Sequence, residues 1–229
     1  MTAWVRGQER SIEFVSQAIR TVGFAMSVPI GVAIGMSQPT LRLWLGEGFA
    51  RWWFLSAPLL LPLAGYYALS SVGALLRAMN EVRLPSRTML VCGGLSAAAG
   101  AICAGPLGLG PMSVAVCGGA GLVIQKAVIE PTYAARRAGV KRSAFAWGGW
   151  AGMGMATAMA IGTRAAAPCL RPHGWLSLLT FALSSATLGY LIASRLLLRS
   201  NDRALLLRLA AKGWSRRTTS GRGCDDDCG

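Results

Sequence analysis

Lys126 and Glu130, a cation and a carboxylate four residues apart, are the pair in this 229-residue chain best placed to do chemistry. On a helix that spacing puts both side chains on one face. Both stand at the end of an apolar run, where either charge alone would be costly in lipid, so the pair must face protein or water. Two readings stay open. It is a polar group that meets a charged substrate or a coupling ion, or it is an interfacial pair near the cytoplasmic end of a helix, with the lysine snorkelling to the headgroups. Arg20, at the mouth of the first apolar stretch, either attracts a phosphate or marks the membrane edge. Arg77, which ends the second stretch beside Asn80 and Glu81, carries the same ambiguity. Arg20, Arg77, Lys126 and Glu130 are the candidate substrate-binding residues.

Covalent catalysis has little to work with. The one histidine, His173, follows Pro172 in an expected loop and reads as polar surface. No HExxH, Walker or GxSxG pattern occurs, and the glycine pairs lack the Lys-Ser or Lys-Thr of a phosphate loop. Glu13 and Glu130 are the acids near membrane depth, with Glu47 and Glu81 in connectors, too few to supply an acid, a base and a metal site. Cys224-Asp-Asp-Asp-Cys228 is a short cluster without a four-ligand pattern. Cys92, Cys103 and Cys117 lie in apolar segments, where small buried thiols are ordinary. An enzyme, a cofactor and a metal are therefore not expected.

The elements that must position these residues are written in the composition. Apolar residues make up 53% of the chain and charged residues 14%, against about 25% charge in a soluble domain. A soluble fold of this size could not cover so much apolar surface. Six apolar stretches, residues 13–36, 53–76, 88–105, 112–129, 144–161 and 175–198, each approach the length that crosses about 30 Å of hydrocarbon. The expected fold is an all-α polytopic transmembrane bundle of about six spans over residues 13–198. A cytoplasmic segment, residues 1–12, precedes it, without a clear signal-peptide cleavage site, and a basic, partly disordered cytoplasmic tail, residues 199–229, follows. Pro106-Leu-Gly-Leu-Gly-Pro111 predicts a tight turn that joins the third and fourth spans as a hairpin. Pro29, Pro58 and Pro62 should bend their spans. Gly148, Gly152, Ala156 and Ala160, four residues apart, predict a small-residue packing stripe on the fifth span, and the pairs Gly93-Gly94, Gly118-Gly119 and Gly148-Gly149 predict close helix approach.

The net charge of +14 could suggest nucleic acid, but the basic residues sit between the apolar stretches rather than on a soluble face. With six spans, one side collects 18 of them and the other 4, counting Arg42, Arg51, Arg164 and Arg171 as the poorer side. The positive-inside rule then puts both termini in the cytoplasm and the protein in the cytoplasmic membrane. Trp44, Trp52, Trp53, Trp147, Trp150 and Trp175 fall near span ends, as interfacial anchors do.

The order of short motifs resembles the polysaccharide biosynthesis and oligosaccharide flippase family, part of the group that includes multidrug and toxin extrusion (MATE) transporters and the lipid II flippase. Pro39-Thr-Leu-Arg-Leu-Trp-Leu-Gly-Glu-Gly-Phe49 is similar to a loop of that family. It is followed by Leu75-Leu76-Arg77-Ala78-Met79-Asn80 and Val82-Arg83-Leu84-Pro85, then by the turn and helix start at Pro106–Val116 and the basic segment at Tyr133–Val140. Asn80 stands where relatives usually have glycine, and Pro111 where they have a small residue. The likeness covers about residues 14–140 and corresponds to the C-terminal part of such proteins.

The resemblance implies flipping of a lipid-linked saccharide, often one carried on undecaprenyl diphosphate, by alternating access between two lobes. Arg20, Arg77 and Lys126 would be pyrophosphate contacts. Full members have about twice as many spans, and alternating access needs two bodies, so a second transporter half or a homodimer is implied. The rivals are an accessory or inactive membrane protein of a polysaccharide assembly system, a lobe that moves drugs or small solutes, and, least supported, a membrane enzyme.

Overall fold

Helices form wherever the apolar stretches demand them, because in lipid each backbone N–H and C=O must be satisfied within its own segment. The computed structural model describes the backbone of residues 2–170 and 174–196, and side chains over 12–167, 174–192 and at 195. His173, the basic tail and Cys224–Cys228 lie outside the described residues. The elements are α1 (Thr2–Gly35), α2 (Ser37–Leu45), α3 (Glu47–Ala50), a 3₁₀ turn (Arg51–Leu55), α4 (Ser56–Ala78), α5 (Arg83–Ala104), α6 (Pro111–Val123), a π-helical segment (Ile124–Ile129), α7 (Glu130–Ala138), α8 (Ser143–Leu170) and α9 (Trp175–Leu196).

The protein is an all-α, polytopic, membrane-spanning bundle. Among the described residues, five stretches are long and apolar enough to cross: Ile12–Gly35, Glu47–Ala78, Arg83–Ala104, Pro111–Ala138 and Trp175–Ile192. The stretch expected as the fifth span is a helix, the 28-residue α8, but it is not among these five. It falls outside that set because its apolar character comes from Ala, Gly and Met rather than from Leu, Ile and Val. Small residues suit a helix that meets protein more than lipid, and α8 is the principal partner of α1 and packs on α4 as well.

α1, α4 and α8 make most of the core, which Ala127 of the π-segment and Ala134 and Ala135 of α7 join. Val15, Ile19, Ala64, Ala68, Leu69, Val72, Phe145, Met153 and Ala156 form one buried cluster from α1, α4 and α8. The predicted stripe on α8 is at its centre. Side chains built on Gly148, Gly31 and Gly35 would run into Ile19, Ala156 and Thr163 respectively. These contacts climb both helices together, so α8 lies parallel to α1 along its length. A second stripe, Gly23, Ser27, Gly31 and Gly35, faces it from α1 at the same four-residue spacing; reading α8 alone did not reveal it. Pro29 lies inside α1 and Pro62 inside α4, and both helices continue through them. Pro58 stands in the first turn of α4, where a missing N–H costs nothing.

The π-segment and α6 pack on α4, and α5 packs on α6. Between α5 and α6 the predicted hairpin turn is present, with Gly108 and Gly110 at positive φ (63° and 69°) and Pro111 opening α6. Of the glycine pairs, Gly119 and Gly149 make the expected close approaches, to Pro58 and Leu69. Gly93, Gly94 and Gly118 face open space.

Several connectors are shorter than hydropathy implies, because a helix does not end where its oily part ends. Arg83 and Arg87 lie on α5, Arg136 and Arg137 on α7, and Arg164 on α8 rather than in a following loop. The segment 39–49 is mostly helical, in α2 and α3. The turn after α4 is a Schellman cap: Glu81 N–H bonds Leu76 C=O at 2.9 Å and Asn80 N–H bonds Arg77 C=O at 3.0 Å. Asn80, at φ 58°, takes the left-handed position, which glycine favours and asparagine tolerates. Asn80→Gly should therefore change stability by less than about 0.5 kcal/mol, whereas Asn80→Val should cost about 1–2 kcal/mol. Thermal melts of the detergent-solubilised protein read both, and equal effects would contradict the assignment of the cap.

Candidate functional site

Pro131 sets the geometry of the site. It has no N–H to give to Ala127, and its ring crowds that carbonyl, so an α-helix cannot pass unaltered. The chain widens by one residue instead. The Glu130 N–H bonds the carbonyl of Gln125, five residues back, and the span continues through α7 to Ala138. A π-turn of this kind is the irregularity that most often accompanies function inside helices.

The wide turn lets two side chains reach Glu130. Lys126 Nζ lies 2.6 Å from Glu130 Oε1, and Gln125 Nε2 donates to the same oxygen at 3.4 Å. Lys126 also stands over the Tyr66 ring of α4, 5.2 Å from its centroid. Glu130 is 1% exposed and Lys126 18%, so the carboxylate is enclosed while the ammonium keeps an outlet. Glu130 Oε2 is buried and has no hydrogen-bond partner. A buried acceptor left without a donor costs free energy, and it marks the place where a further donor would be welcome.

Arg77 carries donors close by. A side chain begun at Gly73 would lie 3.9 Å from both Arg77 Nη1 and Glu130 Oε2. The two groups therefore flank the same glycine at the end of α4, though they do not touch as an ion pair. Lys126, Glu130 and Arg77 are thus brought to one region between α4 and the π-segment, as three of the four candidate contacts. Lys126 lies twelve residues before Ala138, about 18 Å along the helix at 1.5 Å per residue.

Arg20 belongs to a different place. It is partly buried and lines a small cleft of about 50 Å³ between α1 and α8, with Phe24, Ser27, Trp147, Gly148 and Ala151.

Two polar clusters were not foreseen. At the end of α7, Tyr133 Oη donates to Glu81 Oε2 at 2.8 Å, and Arg137 pairs with Glu81 Oε1 at 2.6 Å. Arg137 Nε also donates to Tyr133 Oη at 3.2 Å. This clamp ties the α4–α5 turn to α7 and so fixes the frame around Gly73. The other cluster joins Arg164, Trp53 and Gln38 at the opposite end of α4. Only the Tyr133–Arg137 spacing of four was a local signal; the remaining partners are far apart in the chain.

Over 141 residues the chain is 28% identical to the "Uncharacterized membrane protein EpsK" of Bacillus subtilis (strain 168), a match that covers 60% of this chain and 27% of that protein. The chain thus corresponds to about a quarter of that relative's length. No family model and no solved structure matches it. What geometry and comparison together establish is a helical membrane protein, similar over part of its length to a longer membrane protein.

Proposed function

We propose that this chain is one lobe of a transporter that carries a lipid-linked oligosaccharide across the cytoplasmic membrane. The observation that carries this reading is the Lys126–Glu130 pair on a π-turn inside a span. A cation held on a buried carboxylate, with Arg77 on the neighbouring α4, is a preformed receptor for a diphosphate, because the substrate's anion can take over the lysine's hydrogen bond. The order of motifs around Arg77 and from Pro106 to Val140 adds support, as does partial identity to a much longer membrane protein.

In this reading α8 also crosses the bilayer, as the fifth span in chain order and bringing the total to six, since it runs beside α1 for the length of α1's small-residue stripe. Both termini and the Arg77–Arg87 and Arg136–Arg142 regions then lie in the cytoplasm. The lobe works against a second body, another half or a second copy, because alternating access requires two. No covalent step is involved.

The test is flux of labelled undecaprenyl-diphosphate-linked saccharide in proteoliposomes. Protein-containing vesicles should exceed empty ones. The double variant Lys126→Ala/Glu130→Gln, which removes both charges together, should lose at least about tenfold in rate, equivalent to about 1.4 kcal/mol in the barrier. Flux equal to that of empty vesicles would end the proposal for the isolated chain. Flux that survives the double variant would remove Lys126 from it.

A further inference from the structure

At the end of the bundle away from Glu130, Arg164 is a guanidinium that the transport reading leaves unused. Arg164 of α8 lies 3.6 Å from the centroid of the Trp53 ring and donates through Nη2 to Gln38 Oε1 at 3.0 Å. Among the described residues no carboxylate pairs with it. A guanidinium offers five N–H donors, and Gln38 takes one. Trp53 stacking and the Gln38 bond hold its plane fixed, so little side-chain freedom remains to be lost when an anion binds. Beside it opens a cleft of about 250 Å³ between α1, α4 and α8, whose walls are Ile34, Ala57, Leu61, Ala160 and Ile161. The Thr157 hydroxyl in that wall is already spent on the Met153 carbonyl at 2.9 Å. An oriented cation without a counter-charge thus stands at the mouth of an apolar slot.

We infer that this cleft binds an anionic phospholipid, with its phosphate on Arg164 and one acyl chain along the slot. Charge complementarity selects the head, and burial of the chain selects an amphiphile over a free ion. Phospholipid surrounds the helix ends in large excess over any rarer phosphate-bearing lipid, and mass action favours it. This inference does not depend on transport.

Native mass spectrometry of the full chain released from detergent, with phosphatidylglycerol, phosphatidylcholine, undecaprenyl phosphate or inorganic phosphate added, tests it. The wild type should retain one phosphatidylglycerol in preference to phosphatidylcholine. Arg164→Gln should lower retention about fivefold, as expected of one basic side chain at an anionic lipid surface, and Arg164→Lys should restore part of it. Ala57→Leu fills the slot while leaving the guanidinium in place, and should also lower retention; it decides the matter if Arg164→Gln does not fold. Equal retention by wild type and both variants, or no preference between the two phospholipids, would overturn the site. Displacement by inorganic phosphate would overturn the role of the chain, and stronger retention of undecaprenyl phosphate would overturn the choice of lipid.

Discussion

Lys126→Ala is expected to destabilise the protein by about 3–5 kcal/mol, the cost of removing one partner from a buried ion pair. The size follows from the asymmetry of the pair. Glu130 is 1% exposed and Lys126 18%, so taking away the lysine strands a carboxylate that has no route to water and whose Oε2 already lacks a partner. The converse change should be milder. In Glu130→Gln the amide remains a hydrogen-bond partner, and Lys126 can lean out through its outlet; about 1 kcal/mol is expected. The double variant Lys126→Ala/Glu130→Gln has no charge left to bury and should recover at least about 2 kcal/mol relative to Lys126→Ala alone. SDS titration of the folded protein in bicelles measures all three as a double-mutant cycle. If Lys126→Ala cost less than Glu130→Gln, or the two costs simply added, the pair would not be the enclosed unit described. The cycle also separates fold from function, because the double variant is predicted to be folded and slow in flux.

The helical class, the hairpin at residues 106–111 and the packing role of the α8 stripe were legible from composition and spacing. Each is set by local chemistry: oily runs, turn residues, small residues at a period of four. The candidate site was legible only in part. The spacing of Lys126 and Glu130 put them on one face, where they meet as an ion pair. Pro131 was the signal for the π-turn, since a proline directly after a membrane carboxylate has to be accommodated within a helix that continues. Arg77 was rightly placed at a helix end, and its convergence with Glu130 depended on Gly73, which no pattern marked. Arg20 was grouped with the others by its charge alone, while the parallel pairing of α1 with α8 turned it to another cleft. Arg164 was assigned to a loop because hydropathy fades after Ile161, yet its helix runs on to Leu170. For Arg77 and Arg20 the deciding partner came from a distant part of the chain.

That parallel pairing leads to the other large effect. Gly31→Leu should prevent the native packing of α1 against α8, and Gly31→Ala should already cost about 1–3 kcal/mol as an overpacked core site. A first side-chain carbon at Gly31 would stand 2.6 Å from both the Ala156 carbonyl oxygen and Met159 Cβ. The obstacle is largely backbone, so no rotamer change relieves it and the helices must separate. Separation would be costly because small residues on both faces allow the close contact that substitutes for a hydrophobic driving force between helices in lipid. Gly154, on the same helix as Ala156, has nothing within reach of an added carbon. Gly154→Ala should be neutral within about 0.5 kcal/mol. Fluorescence-detected size-exclusion profiles after graded heating distinguish the two: Gly31→Leu should lose its monodisperse peak far below the wild-type transition, Gly31→Ala should shift modestly, and Gly154→Ala should overlay the wild type. Indifference at Gly31 would mean that α1 and α8 are not in contact there. The core of the bundle and the position of the Arg164 cleft would then have to be redrawn, and the proposal that α8 spans the bilayer would lose its support, since each depends on those two helices lying side by side.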